Sequence, residues 1–315
     1  MTERLAITDP DAIDRAAACL RRGGLVALPT ETVYGLGADA RDDHAVARIY
    51  AAKGRPGFNP LIVHLPDAEQ AFAYGRANDE ARLLADAFWP GPLSMVLPRV
   101  ETAGLSLLVS AGLPSVALRV PSHPVARDLL LAFGGPVAAP SANPSGRISA
   151  TTAQHVLDHL GGQVDLVLDA GPCAVGLEST VVDLTGPVPT LLRPGGLPVE
   201  ALEEVLGRKL ARAGSDDAAP RSPGMLTQHY APRAKVRLDA QTAHPGEVLL
   251  GFGGTPGAAL DLSPAADLVE AAANLFAHLH RLDAAGAATI AVAPIPESGL
   301  GLAINDRLRR AAAGR

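Results

Sequence analysis

Leu25-Val26-Ala27-Leu28-Pro29-Thr30-Glu31-Thr32-Val33-Tyr34-Gly35-Leu36-Gly37 sets the fold class. The four leading apolar residues are too short a run for a helix and fit a buried strand. Two threonines, a glutamate and two glycines follow at once. In open α/β sheets the carboxyl ends of strands face the ligand crevice, so hydroxyls and a carboxylate there can orient a small polar substrate. A plain turn capped by its own hydroxyls is the simpler alternative.

Helical and strand patterns alternate on either side. Asp9-Pro10 opens a helix that Gly23-Gly24 closes. Further helices fit 43–52, 67–74, 79–88, 122–132, 151–160 and 198–207. Strands fit 61–65, 93–97, 116–120, 137–139, 165–168, 179–184 and 189–192. Strands interleaved with helices predict an α/β domain with a mixed sheet over 1–210. Residues 211–235 begin small and polar and read as a linker. Over 236–315 the pattern resumes as a smaller α/β domain, with strands at 247–252 and 289–293. Its helices fit 264–282, capped by Ser263-Pro264, and 301–312.

Composition narrows the function. Hydrophobic residues make up 48% of 315, enough for a sizeable core. Aromatics are only 3% and the net charge is −6, which speaks against a surface that stacks bases or neutralises phosphate backbones. The two cysteines, Cys19 and Cys173, exclude a disulfide framework and a four-cysteine zinc site. They read as buried thiols. No apolar run approaches the roughly 20 residues of a membrane helix, and a cytoplasmic location is expected.

Four further segments are more polar than ordinary loops. Lys53-Gly54-Arg55-Pro56-Gly57-Phe58-Asn59-Pro60 holds two cations between stiff residues, a pattern suited to polyphosphate; it is not a P-loop. Ala138-Ala139-Pro140-Ser141-Ala142-Asn143-Pro144-Ser145-Gly146-Arg147-Ile148-Ser149 offers hydroxyls and an amide after a strand. Gly176-Leu177-Glu178-Ser179-Thr180 enters a strand, and Leu192-Arg193-Pro194-Gly195-Gly196 leaves one. His64 and Arg119 interrupt apolar strands. An arginine there needs a partner, and a bidentate carboxylate ligand is a natural one. Five polar clusters at strand ends are what one shared pocket would give. His155 and His159 share a helix face but read as surface histidines, and Gly251-Phe252-Gly253-Gly254 reads as a strand-end turn.

In this order the segments resemble the YrdC-like family. The matching blocks are 29–37, 53–56 with 59–64, 141–146, 178–183 and 193–195. Ser222-Pro223-Gly224-Met225 with His229-Tyr230-Ala231-Pro232 resembles the linker of its long form, the L-threonylcarbamoyladenylate synthases. Ala150 departs from the proline common there. Fold, activity and site follow from this resemblance as expectations. The fold would be a YrdC-like mixed twisted sheet followed by a small Rossmann-like α/β domain. The activity would be synthesis of threonylcarbamoyl-AMP and pyrophosphate from L-threonine, bicarbonate and ATP. A separate tRNA threonylcarbamoyl transferase complex would use the product, so stable nucleic-acid binding is not expected.

Thr32, His64, Arg119 and Ser179 would bind threonine. Lys53, Arg55, Asn59, Ser115, Ala139, Ser141, Ser149, Arg193 and Tyr230 would bind ATP. Mg²⁺ would arrive with ATP, with no ligand from the protein, and no catalytic base is identified. Residues 222–232 would close over the site as a lid. An RNA-binding YrdC-like module and a carbamoyltransferase are the alternatives.

Overall fold

A computed structural model describes residues 1–213 and 229–313. In chain order the first sheet and its helices are β1 (Glu3–Ala6), α1 (Ala12–Arg21), β2 (Val26–Leu28), β3 (Gly35–Asp39), α2 (Asp43–Lys53), β4 (Ile62–His64), α3 (Ala68–Phe72), α4 (Asp79–Phe88), β5 (Leu93–Pro98), β6 (Ser115–Arg119), α5 (Pro124–Phe133), β7 (Val137–Ala138), α6 (Ala153–Leu160), β8 (Leu166–Asp169), β9 (Thr180–Asp183), β10 (Thr190–Arg193), α7 (Val199–Leu206) and β11 (Ala211–Arg212). They form an eleven-stranded mixed sheet in the order β1-β8-β2-β3-β7-β4-β6-β5-β9-β10-β11. The remaining elements are β12 (Lys235–Arg237), β13 (Glu247–Gly251), β14 (Leu260–Asp261), α8 (Leu268–Ala284), β15 (Thr289–Val292) and α9 (Leu300–Ala312). Their strands form a second, all-parallel sheet in the order β12-β15-β13-β14.

Local signals set many of the boundaries. The Asp42 carboxylate accepts from the amides of His44 and Ala45 and starts α2, and Gly54 at φ 57° ends it. Thr152 caps α6 through the His155 amide. Pro124 begins α5 and Gly134, at φ 73°, stops it.

Some sequence-based expectations need correction. Residues 35–37 are not loop: they open β3, which folds back antiparallel on β2. Ala211 and Arg212 are not linker but an edge strand beside β10. The helix expected from 264 starts at Leu268, because the Asp267 side chain, not Ser263-Pro264, caps the Val269 amide. Strand β1 escapes the pattern because three of its four residues are exposed. Of the lid expected over 222–232, residues 222–228 lie outside the described residues.

One large apolar core lies under α2, α4 and α6, and another is built by α1 and α5 on β2 and β8. A third is shared between the two sheets' units. Val33, Ile148 and Leu177, from the motif segments, pack with Leu275, Phe276 and Leu279 of α8. The backbone of Gly195 rests on the segment entering β9. A Cβ there would lie 2.3 Å from the Glu178 carbonyl oxygen and 2.5 Å from the Thr180 nitrogen. Gly195→Ala must therefore push two backbones apart. It is expected to cost about 2–3 kcal/mol, read as a lower urea midpoint at unchanged slope.

Candidate active site

The site is built on a row of facing residues. Strands β4 and β6 run parallel with His64 opposite Arg119, and β5 runs antiparallel with Ser94 opposite Arg119. Paired residues project from the same face, so an imidazole, a guanidinium and a hydroxyl stand side by side. Ser94 Oγ lies 2.7 Å from Ser179 Oγ, which extends the row to the entry of β9.

Arg119 already has a carboxylate partner. Its Nη2 donates to Glu31 Oε1 at 2.6 Å, and the Ser122 amide donates to Glu31 Oε2. Glu31 comes from the turn between β2 and β3. There Thr30 Oγ1 donates to the Val33 carbonyl and lies 2.8 Å from Thr32 Oγ1. His64 is buried, and its Nδ1 is 3.2 Å from the Ile62 carbonyl. Burial, aided by the Arg119 charge, pushes its pKa down to about 3, so the ring is neutral at pH 7.

The buried cations rest mainly on carbonyl oxygens. Arg55 donates from Nε to the Asn59 carbonyl at 3.0 Å, and from Nη2 to Asn59 Oδ1 and the Pro60 carbonyl. Burial lowers its pKa to about 10, which leaves it charged at pH 7. Arg193 donates from Nη2 to the Ser179 carbonyl at 2.8 Å and to Ser179 Oγ at 3.2 Å. Lys53 Nζ donates to the carbonyls of Ser141, at 2.5 Å, and of Asn143. Burial, then the Arg55 charge, holds its pKa well below the usual lysine value.

A cover closes this floor. Backbone pairing of Leu36 with Pro140 and of Ala142 with Tyr34 lays residues 140–142 along β3. The Ala231 amide donates to the Gly146 carbonyl, which ties Tyr230 down in the left-handed conformation at φ 62°. The Tyr230 ring stacks on Phe276 of α8, with centroids 5.7 Å apart, and Arg307 of α9 lies 4.9 Å from its centroid. Glu178 accepts from Arg307 Nε at 2.8 Å and from Ser149 Oγ. Burial raises the Glu178 pKa, but the charges of Arg307 and Arg193 outweigh it and bring it to about 2. Floor and cover together line one cavity. Tyr230 Oη, His229 Nδ1 and Asn59 Nδ2 are buried without hydrogen-bond partners among the described residues, as expected where a polar ligand is to bind.

Of the residues singled out from the sequence, Arg55, His64, Arg119, Ala139, Ser141, Ser179, Arg193 and Tyr230 line the cavity. Thr32, Lys53, Asn59 and Ser149 are buried behind it, where they hold Thr30, residues 141–143, Arg55 and Glu178 respectively. Ser115 is not brought to the lining: it is half-buried at the opposite end of β6 from Arg119. Sequence reasoning gave no role to Glu178, His229, Ser94 or Arg307. Glu178 and His229 stand inside matched motifs, and Arg307 lies in Asn305-Asp306-Arg307-Leu308-Arg309, which resembles the last helix of the long form's extra domain. His155 and His159 are not free surface histidines. Both are half-buried, and His155 stacks on His280 of α8 at 3.9 Å between ring centroids.

Fold and site together define an α/β enzyme that acts on small polar molecules. The chain belongs to the family described as Telomere recombination, which also carries the names Sua5, YciO and YrdC, matched over residues 18–195. Residues 197–313 match the threonylcarbamoyl-AMP synthase C-terminal domain. The threonylcarbamoyl-AMP synthase of Pyrococcus abyssi is 42% identical over 320 residues, covering 95% of this chain and 94% of that protein. The Bacillus subtilis enzyme of the same name is 41% identical over 336 residues, covering 100% and 96%. The crystal structure of P. abyssi Sua5 complexed with L-threonine superposes with a TM-score of 0.91 at 38% identity, covering 100% of this chain and 98% of that one.

Buried neutral histidines make stability depend on pH. His64, His229 and His280 all have folded pKa values near 3, chiefly through burial, against an ordinary 6.5. Between pH 6.5 and 3 the unfolded chain binds more protons, so this stability is complete above 6.5 and is lost as pH falls. At pH 5 the loss is on the order of 1–2 kcal/mol per histidine. The urea midpoint should be lower at pH 5 than at pH 7, and His229→Gln should narrow the difference. Equal midpoints would contradict neutral burial.

Proposed function

We infer that this chain is a threonylcarbamoyl-AMP synthase, joining L-threonine, bicarbonate and ATP with release of pyrophosphate. The observation that carries this is the full-length likeness to a threonine-bound relative, together with one cavity lined by Arg55, Arg193, His64, Arg119 and Ser179. The threonine amine forms a C–N bond to the carbon of bicarbonate, or of the carbon dioxide it yields, and one amine proton leaves with the bicarbonate hydroxyl as water, which gives a carbamate. A carbamate oxygen then attacks the α-phosphate, a new P–O bond forms and pyrophosphate leaves with the old one. No strong base is needed at the second step, because the carbamate is already anionic.

The chain's own contribution is positioning and charge. Arg119, fixed by Glu31, is placed to receive the threonine carboxylate, with Thr30, Thr32 and Ser179 near the other polar groups. A neutral His64 can exchange hydrogen bonds there without adding charge. Arg55 keeps its positive charge against uncharged oxygens of Asn59 and Pro60, and with Arg193 it attracts polyphosphate. Tyr230 and His229 cover the reacting atoms and exclude water from a labile mixed anhydride.

A resident metal does not fit. No group of three or more His, Cys, Asp or Glu side chains could hold one among the described residues. Glu31 and Glu178 are taken by Arg119 and Arg307. Mg²⁺ is accordingly assigned to the substrate, carried by the phosphates of ATP. The product would pass to a separate transferase that modifies tRNA. The absence of helices long and apolar enough to cross a membrane, among the described residues, is compatible with that role.

Pyrophosphate release should require ATP, L-threonine and bicarbonate together, each omitted in turn. Release without threonine would reject the reaction. Arg55→Ala and Arg119→Ala should each cut kcat/KM by about 100-fold or more, with a circular dichroism spectrum unchanged.

A further inference from the structure

We propose that Arg307, delivered by the last helix, neutralises Glu178 so that this carboxylate does not repel a nucleotide polyphosphate in the cavity. The proposal deepens the synthase reading and rests on ATP as the occupant of the cavity.

Glu178 is an awkward neighbour for a polyanion. Its carboxylate lines the cavity, is 6% exposed and sits one residue before Ser179, which carries Arg193. Left alone, a buried carboxylate either takes up a proton or draws in the nearest cation. Arg193 is close enough for each charge to be felt by the other.

The structure supplies another cation from far along the chain. The Arg307 side chain is 0% exposed, and its Nε donates to Glu178 Oε2 at 2.8 Å across 129 residues of sequence. Asp306 Oδ2 receives Nη1 at 2.6 Å, and the guanidinium lies over the Tyr230 ring. Nη2 is buried with no partner among the described residues. Such burial has no use in merely anchoring a helix, which apolar residues do without desolvating a charge. Arg307 is therefore a positioning residue. It acts through Glu178 and Tyr230, and it makes nucleotide affinity depend on the second unit.

The test is direct titration of MgATP by calorimetry, with L-threonine titrated in parallel and folding checked by thermal melts. Arg307→Met should weaken MgATP by about tenfold or more while threonine stays within about twofold. Removing the carboxylate as well, in Glu178→Gln/Arg307→Met, should bring MgATP back to within about threefold of the unsubstituted chain. A structural anchor predicts no such rescue. The proposal is overturned if Arg307→Met binds MgATP within about threefold of normal, or if the double variant binds no tighter than the single one.

Should Arg307→Met fail to fold, Glu178→Gln alone decides. It should bind MgATP at least as tightly as the unsubstituted chain, and a loss of about tenfold overturns the proposal. Binding needs no turnover. An unsubstituted chain that binds MgATP but releases no pyrophosphate with threonine therefore refutes the reaction and leaves the Arg307 result standing. A chain that does not bind MgATP overturns both.

Discussion

Cations buried against carbonyl oxygens are the constraint around which this site is arranged. Desolvating a guanidinium or ammonium costs several kcal/mol, and it must be offset by well-placed acceptors. A carboxylate would offset it but would also cancel the charge. Carbonyls offset it and leave the charge for a ligand. Arg55 rests on Asn59 and Pro60, and Arg193 on Ser179. Spare carbonyls exist only where the backbone is irregular, because helices and ladders consume theirs. That is why the polar segments are rich in proline and glycine. Stiff, irregular turns hold oxygens in place, and Gly195 lets one such turn approach another within backbone contact.

Two carboxylates do enter the site, and each is paired with an arginine. Glu31 takes Arg119 and Glu178 takes Arg307. The second pair crosses between the units, and so does the apolar core that joins Val33, Ile148 and Leu177 to α8. His280 adds a polar tie, with its Nε2 3.0 Å from the Ser149 carbonyl. Gly176 packs so closely on α8 that a Cβ would meet the Ala272 carbonyl at 2.5 Å. The segments that carry the site therefore depend on the second unit for part of their packing. Its contribution is to hold and cover the site.

Much of the architecture is legible in the sequence because the signals are local. Leu25–Leu28 reads as a strand from its unbroken apolar run, and α5 reads from Pro124 and the glycines that follow it. Local signals fail where pairing decides. Residues 35–37 look like loop, yet they form β3 because β2 lies ready on one side and residues 140–141 on the other. Ala211 and Arg212 look like linker, yet the open edge of β10 recruits them. His155 looks exposed on its own helix and is half-covered only because α8 docks there.

By itself the sequence determined the class of fold, the polar strand ends and the short list of side chains able to bind a small carboxylate and a polyphosphate. These follow from periodicity, from turn chemistry and from motif resemblance, all properties of neighbouring residues. Tertiary structure decided which of those side chains face the cavity and which stand behind it, as with Arg55 in front of Asn59 and Arg193 resting on Ser179. It also decided the partners of the charges. Nothing near Glu178 in sequence announces Arg307, and nothing near Arg119 announces Glu31, which lies 88 residues away. Charge pairing in a buried site depends on distance in space and on the low polarity around it. Both come into being only when the strands are in register and α8 and α9 have closed over them.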